Sequence, residues 1–112
     1  MGIDLVEVAR IEGLMGRWGE HFLKRIFTER ELKYSLDRRR ASEHLAARFA
    51  AKEALAKAAQ LHPRWREIEV LTTPRGVPYF SRLPQGLEPN QVRLSLSHAA
   101  GMAIAIVLIE DR

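Results

Sequence analysis

The spacing of apolar residues divides the chain into two halves. Up to about Leu61 they recur at helical intervals, and beyond it they alternate or run together as in strands. Gly2 to Val6 is a short apolar opening interrupted by Asp4. From about Leu5 to Leu14 a first helix is predicted, with Val8, Ile11 and Met15 on one side, and Asp4 followed by Glu7 reads as its N-terminal capping pair. Gly13, Gly16 and Gly19 loosen the chain before a second apolar cluster of Phe22, Ile26 and Phe27. Thr28 and Glu31 form a better capping box for a helix through Leu32, Tyr34 and Leu36, ending near Arg38-Arg39-Arg40, where the helix dipole favours cations. Ser42 is placed to cap a long alanine- and leucine-rich helix that runs to Leu61 and stops at His62-Pro63.

In the second half, Ile68 to Thr72 and Val77 to Ser81 read as strands joined by a Pro74-Arg75-Gly76 turn, the second near an edge because of Pro78. Residues 82–91 carry prolines and a glycine and form a loop. Val92 to Ser97 alternates with period two, His98 to Gly101 is a turn, and Met102 to Ile109 is a continuous apolar strand central to its sheet. Helices first and strands later predict an α+β fold, with helices of the N-terminal half packed on a small antiparallel sheet, in one domain spanning residues 1–112.

Composition narrows the chemistry. The 112 residues suffice for one domain, and 46% hydrophobic content supports a folded core. The absence of cysteine excludes disulfides, thiolate catalysis and cysteine-ligated metal. The apolar run 102–109 is too short for a bilayer span and the start lacks a basic-then-apolar signal, so a soluble, cytoplasmic protein without membrane contact is expected. Eighteen Lys and Arg against fourteen Asp and Glu, a net charge of +4, favour an anionic partner. The four histidines have no zinc spacing, and neither a phosphate-binding glycine loop nor a GxSxG elbow is present.

What remains is Asp4, Glu53 and Lys57, with Ser97-His98 at a strand end. On the long helix Glu53 shares a stripe with Phe49, Ala46 and Ala50, one turn before Lys57. Either Glu53 and Lys57 form a surface ion pair, or small residues let a ligand approach a carboxylate in a partly dry place. Two carboxylates from separate elements suit magnesium, which prefers oxygen ligands and substrate phosphates. Ser97-His98 reads equally as a polar pair at a hairpin.

Gly2-Ile3-Asp4-Leu5, Arg48-Phe49-Ala50-Ala51-Lys52-Glu53-Ala54 with Lys57, and Ser95-Leu96-Ser97-His98 resemble, in order and separation, the holo-acyl-carrier-protein synthases. These are short, single-domain members of the 4′-phosphopantetheinyl transferase superfamily, and the resemblance covers nearly the whole chain. It implies transfer of 4′-phosphopantetheine from coenzyme A to a serine of apo-acyl-carrier protein in fatty-acid biosynthesis. It further implies Mg²⁺ on Asp4 and Glu53, proton removal by Glu53, and Lys57 at the pyrophosphate. Arg48, His98 and the Gly76-Val77-Pro78 turn would lie near the nucleotide end of coenzyme A. The acidic carrier would dock on arginines of the first helix region, Arg10, Arg17 and Arg25, and a homotrimer with sites at subunit interfaces is implied. Two departures stand out. No Gly-x-Gly follows Lys57, where the chain reads Ala58-Ala59-Gln60-Leu61-His62-Pro63. The first strand is expected to be short, which puts Asp4 near a fraying end. A nucleic-acid-binding module using Arg38-Arg39-Arg40 and Arg64-Trp65-Arg66 is the alternative, with an aromatic between arginines to stack a base; the leading reading expects no nucleic acid.

Overall fold

In the computed structural model, which describes residues 1–110, the chain opens with a strand, β1 (Gly2–Glu7), and passes without a linker into α1 (Val8–Trp18). Asp4 and Glu7 therefore do not form a capping pair. Glu7 occupies the position before the helix with extended backbone and makes no side-chain cap, and Asp4 lies inside the strand. Long-range pairing overrides the local signal: all six residues of β1 pair antiparallel with the last strand, from Gly2 opposite Val107 to Glu7 opposite Met102. The Val8 amide then donates to the Gly101 carbonyl at 2.9 Å, which hangs the start of α1 on a hairpin turn. The expected fraying of the first strand is not what this pairing describes.

Gly13 and Gly16 continue inside α1, and the helix breaks at Gly19, whose φ of 54° suits a glycine. α2 (Glu20–Ile26) follows, then α3 (Glu29–Leu36), which starts with the predicted Thr28–Glu31 capping box. α4 (Ala41–Ala59) is preceded by Arg40 in the left-handed region, not capped by Ser42, whose hydroxyl instead donates to Glu12. β2 (Glu69–Thr72) and β3 (Pro78–Arg82) form one hairpin, and β4 (Val92–Ala99) and β5 (Met102–Ile109) another. β5 is central in the order β1-β5-β4, as its unbroken apolar run predicts. β4 runs two residues further than predicted, so His98 belongs to the strand and the turn is Ala100-Gly101, both with positive φ.

α4 lies across β1 and β5 and also meets α1, α3 and β2. Leu45 to Lys52 are buried without interruption, so the helix has no solvent stripe through that stretch; it is interior on all sides. This overturns the ligand-facing stripe and shows what the alanines are for. Ala46, Ala50 and Ala54 belong to the core with Ala103 and Ala105 of β5, and small residues on both surfaces let helix and sheet close together. The approach is close at Gly2, where a Cβ would stand 2.0 Å from the Ala54 carbonyl oxygen and 2.8 Å from the Ala58 nitrogen. Gly2→Ala must push β1 off α4, and is expected to cost about 2–3 kcal/mol, the usual range for overpacking against backbone. A thermal melt of the variant should fall well below wild type, and equal melting would disprove the contact.

Candidate active site

The contact of Gly2 with α4 determines where Asp4 goes. Strand alternation turns Gly2, Asp4 and Val6 toward the helix and Ile3, Leu5 and Glu7 away. Asp4 is thus set, 9% exposed, against the C-terminal half of α4, and Lys57 reaches back toward it. The Lys57 ammonium donates to Asp4 Oδ1 at 2.8 Å and to the Ile3 carbonyl at 3.3 Å. The bond to Asp4, then the Asp4 charge, raise the Lys57 pKa, although its side chain remains largely in solvent.

Glu53 is treated differently. Its Oε1 is buried and, among the described residues, has no hydrogen-bond partner. Burial first, and the Asp4 charge second, push the Glu53 carboxyl above the ordinary range, with partial relief from Arg10 and Lys57. An unsatisfied carboxylate oxygen beside a second carboxylate is the donor set of a hard divalent cation. Among the described residues no three His, Asp or Glu side chains converge, so a cation here would draw its remaining ligands from water and substrate oxygens. Beside Glu53 and Lys57 opens a cleft of about 320 Å³ bounded by Gln60, Leu61, His62 and Trp65. At the glycine-less border Gln60 adopts φ 55° and ψ 44°, a left-handed turn normally given to glycine.

A second polar cluster forms around Arg48, which is 2% exposed. Its guanidinium donates to the Val70 carbonyl (3.1 Å), the His44 carbonyl (3.3 Å) and Thr72 Oγ1 (2.9 Å). Tyr34 lies near two guanidinium groups, Arg38 at 3.5 Å and Arg48 at 4.3 Å from its ring centre. Burial alone would raise the Tyr34 pKa, but the bond to Thr72 and the two arginine charges outweigh it and lower it. His44 meets Tyr34 edge-on and is held below its usual pKa by burial, then by Arg48, His98 and Arg38. His98 is therefore a neighbour of this cluster. Thr72 also leads into the turn in which Gly76, with φ 88°, donates to the Thr73 carbonyl before Pro78 opens β3. Arg48 and His98 thus lie in one region, from which the Gly76–Pro78 turn is reached along the hairpin after Thr72, and Asp4, Glu53 and Lys57 lie in another. Tyr34 and His44 were not singled out from sequence, although each precedes an arginine by four residues, the spacing that brings side chains together on a helix.

Arg10 lies on α1 with its guanidinium 6.0 Å from the Phe49 ring centre, close enough to Glu53 to influence it. Arg17 is exposed at the end of α1. Arg25 of α2 borders a larger groove with Trp18, Phe22, Trp65 and Arg66. The nucleic-acid alternative is not supported. Trp65 is half-buried and packs edge-on against Phe49 at 5.6 Å, and Arg38 is engaged with Tyr34.

The family model of the 4′-phosphopantetheinyl transferase superfamily matches residues 1–107. Among curated relatives, the chain is 43% identical to a holo-[acyl-carrier-protein] synthase of Chloroherpeton thalassium over 98% of its length and 96% of the relative's. It is 42% identical to one of Dehalococcoides mccartyi, with 98% and 97% covered. The solved holo-[acyl-carrier-protein] synthase of Neisseria meningitidis superposes with a TM-score of 0.86 at 34% identity, covering 98% of this chain and 96% of that one. That of Helicobacter pylori, in complex with coenzyme A, superposes with 0.84 at 30% identity, covering 97% and 98%.

Because Glu53 holds its proton more tightly folded than unfolded, its contribution to stability is fully present below the ordinary carboxylate pKa and is lost as pH rises through the folded value. Glu53→Gln removes that loss. In chelator the variant should melt above wild type at about pH 7.5, with the gap closing toward about pH 4. Identical melting at the higher pH would contradict the strained carboxylate.

Proposed function

The chain belongs to the holo-acyl-carrier-protein synthases of the 4′-phosphopantetheinyl transferase superfamily, and on that premise we propose how it transfers 4′-phosphopantetheine from coenzyme A to a serine of apo-acyl-carrier protein. The products are holo-carrier protein and adenosine 3′,5′-bisphosphate. The observation that carries the residue assignment is the buried, unpartnered Oε1 of Glu53 next to Asp4.

Asp4 and Glu53 are the residues that would hold Mg²⁺, which would supply Lewis-acid stabilisation of the charge growing on the phosphate oxygens. The serine hydroxyl attacks the phosphorus bearing pantetheine, forming a P–O bond as the bond to the leaving phosphate breaks. Glu53 takes the serine proton, directly or through water; its raised pKa brings it nearer the range useful to a base. The Lys57 side chain, more than half exposed, turns from Asp4 to the pyrophosphate or the leaving phosphate. Arg48, His98 and the Gly76–Pro78 turn receive the nucleotide end. Arg10, Arg17 and Arg25 face the acidic carrier, whose encounter the net positive charge speeds and orients. This reading belongs in cytoplasmic fatty-acid biosynthesis; no helix among the described residues is long and apolar enough to cross a membrane.

A homotrimer is supported by the outer face of the first sheet. Ile3 and Leu5 of β1 and Ile106 and Leu108 of β5 are 58%, 56%, 42% and 41% exposed, and register pairs Ile3 with Ile106 on one surface. A continuous aliphatic patch of this kind marks an interface.

Glu53→Ala should lower transfer at least about 100-fold while the protein stays folded, measured by mass gain on the carrier serine. Chelator should abolish the wild-type reaction; a chelator-insensitive turnover would remove the metal. Ile106→Arg should convert the trimer to monomer in light scattering, and an unchanged mass would exclude this face as the interface.

A further inference from the structure

Lys52, next to Glu53 in sequence, points away from the reacting groups and is completely buried. Its ammonium donates to Glu31 Oε1 at 2.7 Å, the Ile26 carbonyl at 2.7 Å and the Trp65 carbonyl at 3.0 Å, which uses all three of its hydrogens. Glu31 is itself fixed from two other sides. Its Oε1 accepts from the Thr28 amide at 2.9 Å and its Oε2 from the Val70 amide at 2.8 Å. One ammonium thus ties the end of α2, the start of α3, α4 and the segment after it.

Of these attachments, the one to Trp65 reaches the site. The stretch 61–64 has no regular structure, and it separates α4 from the short turn Trp65–Glu67. Among the described residues, the Trp65 carbonyl accepts from Ile68 of its own turn, at 3.2 Å, as well as from Lys52. Trp65 is a wall of the cleft holding Glu53 and Lys57, and of the larger groove beside Arg25. This is the side on which the expected glycine turn is missing. A buried ion pair is weak as a source of stability, since apolar side chains of similar volume often serve as well; its distinctive property is a fixed geometry.

We infer that Lys52, locked by Glu31, is a positioning residue that sets Trp65 as the wall of the coenzyme cleft. The inference rests on the transferase reading for its kinetic arm, and its spectroscopic arm is independent of it. Lys52 touches no substrate; it acts through the Trp65 main chain.

The test compares Trp65→Ala with a Lys52→Met/Glu31→Gln double substitution, which neutralises both partners together and leaves no lone buried charge. Steady-state transfer is measured with coenzyme A varied. Acrylamide quenching of Trp65 is measured in a Trp18→Phe background, where Trp65 is the sole tryptophan. The KM for coenzyme A is expected to rise about tenfold in both variants with kcat within about twofold. Combining them should add nothing further, because both act through one wall. Quenching should increase in the double substitution. A folded double substitution with unchanged KM and quenching overturns the inference, as does an additive effect of the two variants. Should the double substitution fail to fold, Trp65→Ala decides alone: an unchanged KM for coenzyme A removes the wall and the role with it. Absence of transfer in the wild type would instead strike the transferase reading, and quenching would still report whether Lys52 holds Trp65.

Discussion

A helix buried on all sides must find an internal partner for every charge it carries, and α4 carries three within six residues. Arg48 and Lys52 are each provided with partners, the first by two main-chain carbonyls and Thr72, the second by Glu31 and two carbonyls. Glu53 is not: one of its oxygens is buried without a partner. An isolated defect of this kind costs on the order of 1–3 kcal/mol, and two well-served neighbours make its persistence informative. Lys52 holds the helix in place, Arg48 does so beside the proposed nucleotide end, and Glu53 is the charge whose burial no partner among the described residues explains.

The same burial explains why parts of the chain were legible in sequence and others were not. The Thr28–Glu31 box, the alternation of β4 and the unbroken run of β5 are local signals that tertiary contacts reinforce. β1 hides its period because its inward positions are Gly2 and Asp4, a residue without a side chain and a carboxylate, so two of its three buried sites do not look apolar. The spacing of Asp4 and Glu7 satisfies a helix-start pattern, but six paired residues along β5 outweigh one cap. In α4 no amphipathic stripe exists to be found, and the stripe of Glu53 with Ala46 and Ala50 arose from projecting a central helix as if it lay at the surface.

The candidate site residues divide along the same line. Asp4, Glu53 and Lys57 were identifiable from their residue types and from resemblance, and folding brings them together. Tyr34 and His44 were passed over because nothing in their immediate sequence distinguishes them from packing residues, and Trp65 was read only as an aromatic between two arginines. Their placement depends on how α3 meets α4 and on a connection of irregular backbone, neither of which has a sequence period. The Lys52–Glu31 pair was equally hidden, since its partners lie 21 residues apart.

The direct passage from β1 to α1 bears on accuracy of alignment. Glu7 ends the strand and Val8 begins the helix, so Asp4 and Arg10 are separated by a single bend in the backbone, pinned where the Val8 amide meets Gly101. A macromolecule that grips α1 is therefore referenced to the carboxylates through the main chain, with no flexible segment to accumulate error. Positional tolerance at the carboxylates is inherited from a strand paired along its whole length, which is among the stiffest connections a small protein can make.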